Sequence, residues 1–169
     1  MTEATNQAGK LPLISRIMAL NWKLLDRLRH RSAFEVAKRP PTGLSFDALG
    51  GAHQCLVVTY KRSGEPVPSP VNTAITDGTL YFRSEPHVGK VTRLGHTSRV
   101  LVCACNFRGK PRGPVVEGRA RVLSEDESAP AAEILASSWT LPTRVVERGF
   151  DRLGVPAVYV EVTASPVRD

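Results

Sequence analysis

SPVNTAITDGTLYFRS, residues 69–84, is the most telling stretch of this chain for its fold. An Asp77-Gly78 pair sits between two runs rich in Val, Thr, Ile, Tyr and Phe. Both central residues of a type I′ turn need positive φ, so Asp-Gly in this setting predicts a hairpin of strands 69–76 and 79–84. The same texture continues outward in both directions. Upstream, HQCLVVTY (53–60) reads as a strand and residues 62–66 (RSGEP) as a loop. Downstream, RVLVCACN (99–106) is a fourth strand. Residues 115–123 form a fifth after the Gly/Pro-rich loop FRGKPRGP, and PAVYVEVTA (156–164) alternates as a last strand. Three short helices are predicted between them. One covers 86–94, with Pro86 in the first turn and Gly95 as the C-terminal cap. A second follows Ser124-Glu125-Asp126-Glu127, which has capping-box spacing, and runs through 136. The third covers 142–153. Six or so mostly antiparallel strands with few helices predict a mainly β (α+β) protein built on a closed or nearly closed barrel.

The N-terminal part reads differently. In residues 13–38, Ile14, Ile17, Met18, Leu24, Leu25 and Leu28 recur at helical spacing, with Arg16, Lys23 and Arg27 on roughly the opposite face. Pro40 and Pro41 stop this helix, and 42–51 reads as a linker. The expected organisation is an N-terminal basic amphipathic extension, 1–41, and a barrel domain, 42–169. Two readings of the extension stay open: its apolar stripe packs on the barrel or a partner subunit, or it lies as a peripheral contact on an anionic membrane surface.

Composition narrows the function classes. The chain of 169 residues carries 23 Lys+Arg against 16 Asp+Glu, a net charge of +7. Residues 1–39 account for +5 of it and residues 40–169 for only +2. A nearly neutral body argues against a nucleic-acid-binding surface. No apolar run reaches the ~18 residues of a membrane span. The polar start lacks a secretory signal and the cysteine count is three, so a cytoplasmic protein is expected. Cys103 and Cys105, two apart on one strand, share a face and read as buried packing, as does Cys55; no metal-ligand set accompanies them. No G-x-S-x-G, G-x-G-x-x-G or Walker motif occurs.

The chemistry points to LYFRSEPHVGKVTRLGHTSRV, residues 80–100. A strand ends in Arg83-Ser84, a helix follows, and Lys90 and Arg93 share one face of it. Unpaired N–H groups at the helix start, two cationic side chains, Arg83 and the Ser84 hydroxyl make a phosphate cradle; the plain alternative is a solvated basic helix.

At this point VTYKRSGEPV, SPVNTAITDGTLYFRS, GKVTRL, SRV and CNFRGKPRGPVVEGRARVL, in that order between Val57 and Leu123, are informative together. The set resembles the flavin- and deazaflavin-dependent split-barrel oxidoreductases related to pyridoxamine 5′-phosphate oxidase, especially the branch using coenzyme F420. The resemblance implies a six- to seven-stranded antiparallel split β-barrel with short helices and an added N-terminal amphipathic helix. It also implies a homodimer with cofactor at the subunit interface. The tricyclic ring would lie along Ser69, Pro70, Val71, Asn72 and Thr73, and the phosphate would meet Arg83, Ser84, Gly89, Lys90 and Arg93. Arg108, Lys110 and Arg112 are available for an acidic cofactor tail. The expected activity is hydride transfer from reduced F420 to a small electron-poor acceptor such as an enone or quinone. An FMN-dependent oxidase or reductase is the alternative, as is a non-catalytic flavin or tetrapyrrole binder. No catalytic acid is identified; His87 is nearest in sequence but reads as an exposed histidine. Two departures from the pattern stand out: Asn72 replaces an aromatic after Pro70-Val71, and Thr97-Ser98 replaces Asn-Pro.

Overall fold

The computed structural model describes residues 31–42 and 45–165. Six antiparallel strands form a closed barrel in the order β1-β2-β3-β6-β5-β4, with β4 returning to β1. They are β1 (Gln54–Tyr60), β2 (Pro66–Thr76), β3 (Thr79–Ser84), β4 (Arg99–Cys105), β5 (Pro111–Val122) and β6 (Val158–Ala164). The helices are α1 (Gly89–Leu94), α2 (Glu125–Ser138) and α3 (Leu141–Arg152). The expected antiparallel barrel with short helices is therefore the fold, with six strands.

The hairpin turns as its residues demand, with φ of 50° at Asp77 and 71° at Gly78. Alternation then sorts the side chains. Cys55, Val57, Leu80, Phe82, Val100, Val102, Val160 and Val162 fill the barrel interior, with Phe46 packed among them. The other faces of β1 and β4 are covered too: Leu56, Val58, Leu101, Cys103 and Cys105 pack against Ala33 and Val36 of a 3-10 helix, Arg31–Lys38. This explains why β1 reads as an unbroken apolar run.

Of the helix expected over 13–38, residues 13–30 lie outside the described residues, and Arg31–Lys38 is 3-10 rather than α-helical. Its apolar side is on the barrel. Among the described residues no helix is long and apolar enough to cross a membrane.

Several boundaries move. α1 starts at Gly89, so Pro86 stands outside it, and Gly95 ends it in right-handed conformation (φ −66°) rather than as a left-handed cap. β5 begins at Pro111, four residues before the expected start, because Pro111 pairs with Cys105 across a bulge. β2 begins at Pro66 and pairs with β1 from Tyr60↔Pro66 through Gln54↔Asn72, whereas its pairing with β3 starts only at Thr73↔Phe82. Residues 66–72 thus present one open edge.

Candidate functional site

That open edge carries an unusual pattern of backbone groups. The Thr73 N–H points to β1, where it donates to the His53 carbonyl at 2.9 Å. By strand periodicity the N–H and C=O positions of 66, 68, 70 and 72 face the other way, to the open edge. Three of these are prolines, which have no N–H. The edge therefore offers a row of carbonyl acceptors and a single N–H donor, at Asn72.

A cavity of about 690 Å³ lies along it, a volume typical of small-molecule sites. Ser69, Pro70, Val71, Asn72, Arg83, Ser84, Gly89, Lys90 and Arg93 all line it. Thr73 does not: it is buried, and its hydroxyl donates to the Ala52 carbonyl at 2.8 Å. Among the tail candidates, Arg108 lines this cleft, Arg112 lines a neighbouring cavity of about 750 Å³, and Lys110 is exposed. The two cavities share Gln54, Asn72, Phe107 and Trp139.

The polar groups of the cleft differ in what holds them. Ser84 points inward at the end of β3, and its Oγ is buried with no hydrogen-bond partner. Such a hydroxyl costs free energy unless something pairs with it. Arg93 folds back across its helix. Its Nη1 lies 2.8 Å from where a Cβ on Gly89 would sit, and its Nε donates to Thr59 Oγ1 at 2.7 Å. Gly89 leaves room for this return. With only six residues, α1 offers no substantial dipole, so the groups here able to meet an anion are side chains.

Arg83 is engaged by α3, a helix to which the sequence alone assigns no role. Its Nη1 donates to Glu147 Oε2 at 2.9 Å and its Nη2 to Asp151 Oδ1 at 2.7 Å. Asn72 also bonds the Glu147 carboxylate, and Gln54 Nε2 donates to Asn72 Oδ1 at 3.1 Å. Burial pushes the Glu147 carboxyl above its usual range, against the pull of Arg83. α2 delivers the chain to this place. Ser124 N–H and Oγ–H both donate to Glu127 Oε2 at its start, Ala131 and Leu135 are buried, and near its end Ser138 Oγ, which donates to the Leu135 carbonyl at 2.8 Å, lies 3.4 Å from the Thr73 carbonyl. Trp139 and α3 then fall at the cleft. The one sequence signal of this network is Asn72 itself, a polar residue where an aromatic is expected.

The three cysteines are buried and free; burial raises the Cys55 thiol to about 11 and the Cys105 thiol to about 12. Among the described residues no three His, Cys, Asp or Glu side chains cluster to hold a metal.

No family model matches the chain, and no curated protein matches it. Solved structures do. A candidate 5-nitroimidazole antibiotic resistance protein from Bacteroides thetaiotaomicron is 17% identical, with a TM-score of 0.53 over 70% of this chain and 76% of that one. A FAD-binding protein from Mesorhizobium loti is 21% identical, with a TM-score of 0.51 over 70% of this chain and 84% of that one. A heme binding protein from Mycobacterium smegmatis is 14% identical, with a TM-score of 0.51 over 80% of this chain and 51% of that one. The chain has the split β-barrel fold of these proteins. At such identities the likeness establishes fold and leaves chemistry to the site.

Proposed function

We propose that the cleft binds a tricyclic, phosphate-bearing redox cofactor, coenzyme F420 in the first reading, and that the protein is an oxidoreductase delivering hydride to a small electron-poor acceptor such as an enone or quinone. The carrying observation is the meeting, in one cleft, of the open β2 edge, the unpartnered Ser84 hydroxyl and the cations Lys90, Arg93 and Arg108. A ring with both N–H and C=O groups on its rim matches an edge with several carbonyls and one N–H. A phosphate supplies the acceptor that Ser84 lacks, and Lys90 and Arg93 supply charge-assisted bonds. The bound cofactor supplies the hydride chemistry; this chain binds, orients and shields it.

FMN is the second reading, and one observation favours it. Arg83 is already neutralised by two carboxylates, which leaves fewer cations for the acidic tail of F420. The likeness to a heme binding protein keeps a non-catalytic tetrapyrrole binder as the outcome if neither cofactor is taken. A homodimer belongs to the same proposal, supported by the exposed Phe107 beside the cleft and by exposed Leu141 and Val145 on α3. A cytoplasmic location is part of it as well.

The test is Lys90→Ala, titrated with F420 and with FMN. Loss of one charge-assisted phosphate contact weakens binding by about 1.5–3 kcal/mol. Wild-type affinity for whichever cofactor binds, in a folded variant, would move the phosphate site away from α1.

A further inference from the structure

We propose that Arg83 is the fastener of a cover. It holds α3 across the mouth of the cofactor cleft through Glu147 and Asp151, so that freeing Arg83 releases the helix and widens the cleft. The proposal takes the cleft to be the ligand site described above.

Three observations carry it. First, α3 has no buried residue, so little apolar packing ties it to the barrel. Second, its attachment on the cleft side is polar: the Arg83–Glu147 pair, at 2.9 Å, is enclosed, with side chains 10% and 14% exposed, and the 2.7 Å bond to Asp151 lies at the solvent-facing rim. A charge pair withdrawn from water is costly to break from one side, because the remaining partner is left uncompensated. Third, the attachment continues into the cleft floor, since Glu147 is also bonded by Asn72, and Asn72 by Gln54. Glu147 and Phe150 of α3 themselves line the cleft, with Trp139 shortly before the helix. Within the protomer, Arg83 is thus the charged part of the cleft-side attachment of α3, beside the Asn72 bond to Glu147, while Arg144 Nη2 donates to the Ala136 carbonyl at 3.3 Å away from it. A phosphate or carboxylate on an incoming ligand is the chemical equal of the two groups Arg83 now binds, and can exchange with them.

Glu147→Gln with Asp151→Asn keeps the shape of both acceptors and removes their charge. In the full chain, two ligand-free readouts follow. Amides of α3 exchange with deuterium roughly tenfold faster or more, while those of β1 and β4 keep wild-type rates. In a Trp22→Phe background, where Trp139 is the remaining indole, acrylamide quenches fluorescence more strongly in the double variant. Arg83→Met reproduces both effects, and combining it with the double variant adds nothing further. Unchanged α3 exchange overturns the proposal, because the ion pairs then do not hold the helix. Faster α3 exchange with unchanged quenching also overturns it, because the helix then loosens without uncovering the cleft. Loss of protection throughout the barrel does so too, since Arg83 then supports the whole fold. Both readouts are taken without cofactor, so the cover stands or falls independently of whether F420 or FMN binds.

Discussion

Ser84→Ala separates a ligand-facing hydroxyl from a structural one, because the two roles predict opposite signs. In the structure the Oγ is buried and unpartnered, and a buried polar group without a partner costs about 1–3 kcal/mol. Removing it deletes one atom that makes no hydrogen bond, from a residue that lines the cleft. The variant should therefore be more stable than wild type by about 1 kcal/mol, which for a chain of this size raises the melting temperature by roughly 2–4 °C. If the hydroxyl donates to a cofactor phosphate, the same change costs about 1.5–3 kcal/mol of binding, or roughly ten- to a hundredfold in Kd. The assay is a thermal melt beside parallel fluorescence titrations with FMN and riboflavin. The affinity loss should be confined to FMN, which alone of the two carries phosphate. A variant that melts below wild type while FMN affinity holds would show the hydroxyl to be structural and remove it from the phosphate site.

Other outcomes follow from the same geometry. Gly118→Ala places a Cβ 2.7 Å from the Thr163 carbonyl oxygen and 2.8 Å from Phe46 Cζ; the backbone oxygen belongs to the β5–β6 ladder and cannot yield, so urea unfolding should show a loss of about 1–3 kcal/mol. Arg93→Met removes the 2.7 Å bond to Thr59, a buried hydroxyl, and should lower both stability and cofactor affinity, whereas Lys90→Ala should act chiefly on affinity. Burial raises the Cys55 thiol from 9.0 to about 11, so the unfolded chain loses this proton at lower pH than the folded one. That stabilisation is complete below pH 9 and lost as pH rises towards about 11, and the urea midpoint measured across this window should fall.

How much is legible in the sequence depends on how local the governing physics is. The β2–β3 hairpin is readable because two adjacent residues set its turn. The barrel interior is readable because strand alternation needs no knowledge of partners. The true start of β2 is hidden by Pro66, Pro68 and Pro70, which argue against a strand until one sees that their missing N–H groups all face an edge with no neighbour. Gly118 gives no signal, because its need for a bare Cα comes from Phe46, 72 positions away in the chain. Most of the residues proposed to meet a phosphate are singled out by spacing and resemblance, and the structure brings them to one cleft. The partners of Arg83 are not, since Glu147 and Asp151 lie on a helix whose docking over the cleft depends on the path of α2. A cation placed next to a predicted phosphate site looks the same in sequence whether it meets a ligand or a carboxylate of its own chain.

Whether this cleft takes a phosphate-bearing tricyclic cofactor is answered by a fluorescence titration of the purified chain with F420 and FMN, at low and high salt. Saturable binding of one of them that weakens as salt rises is the expected result, F420 under the first reading and FMN if the neutralised Arg83 decides the matter. Absence of binding by both would contradict the proposed function.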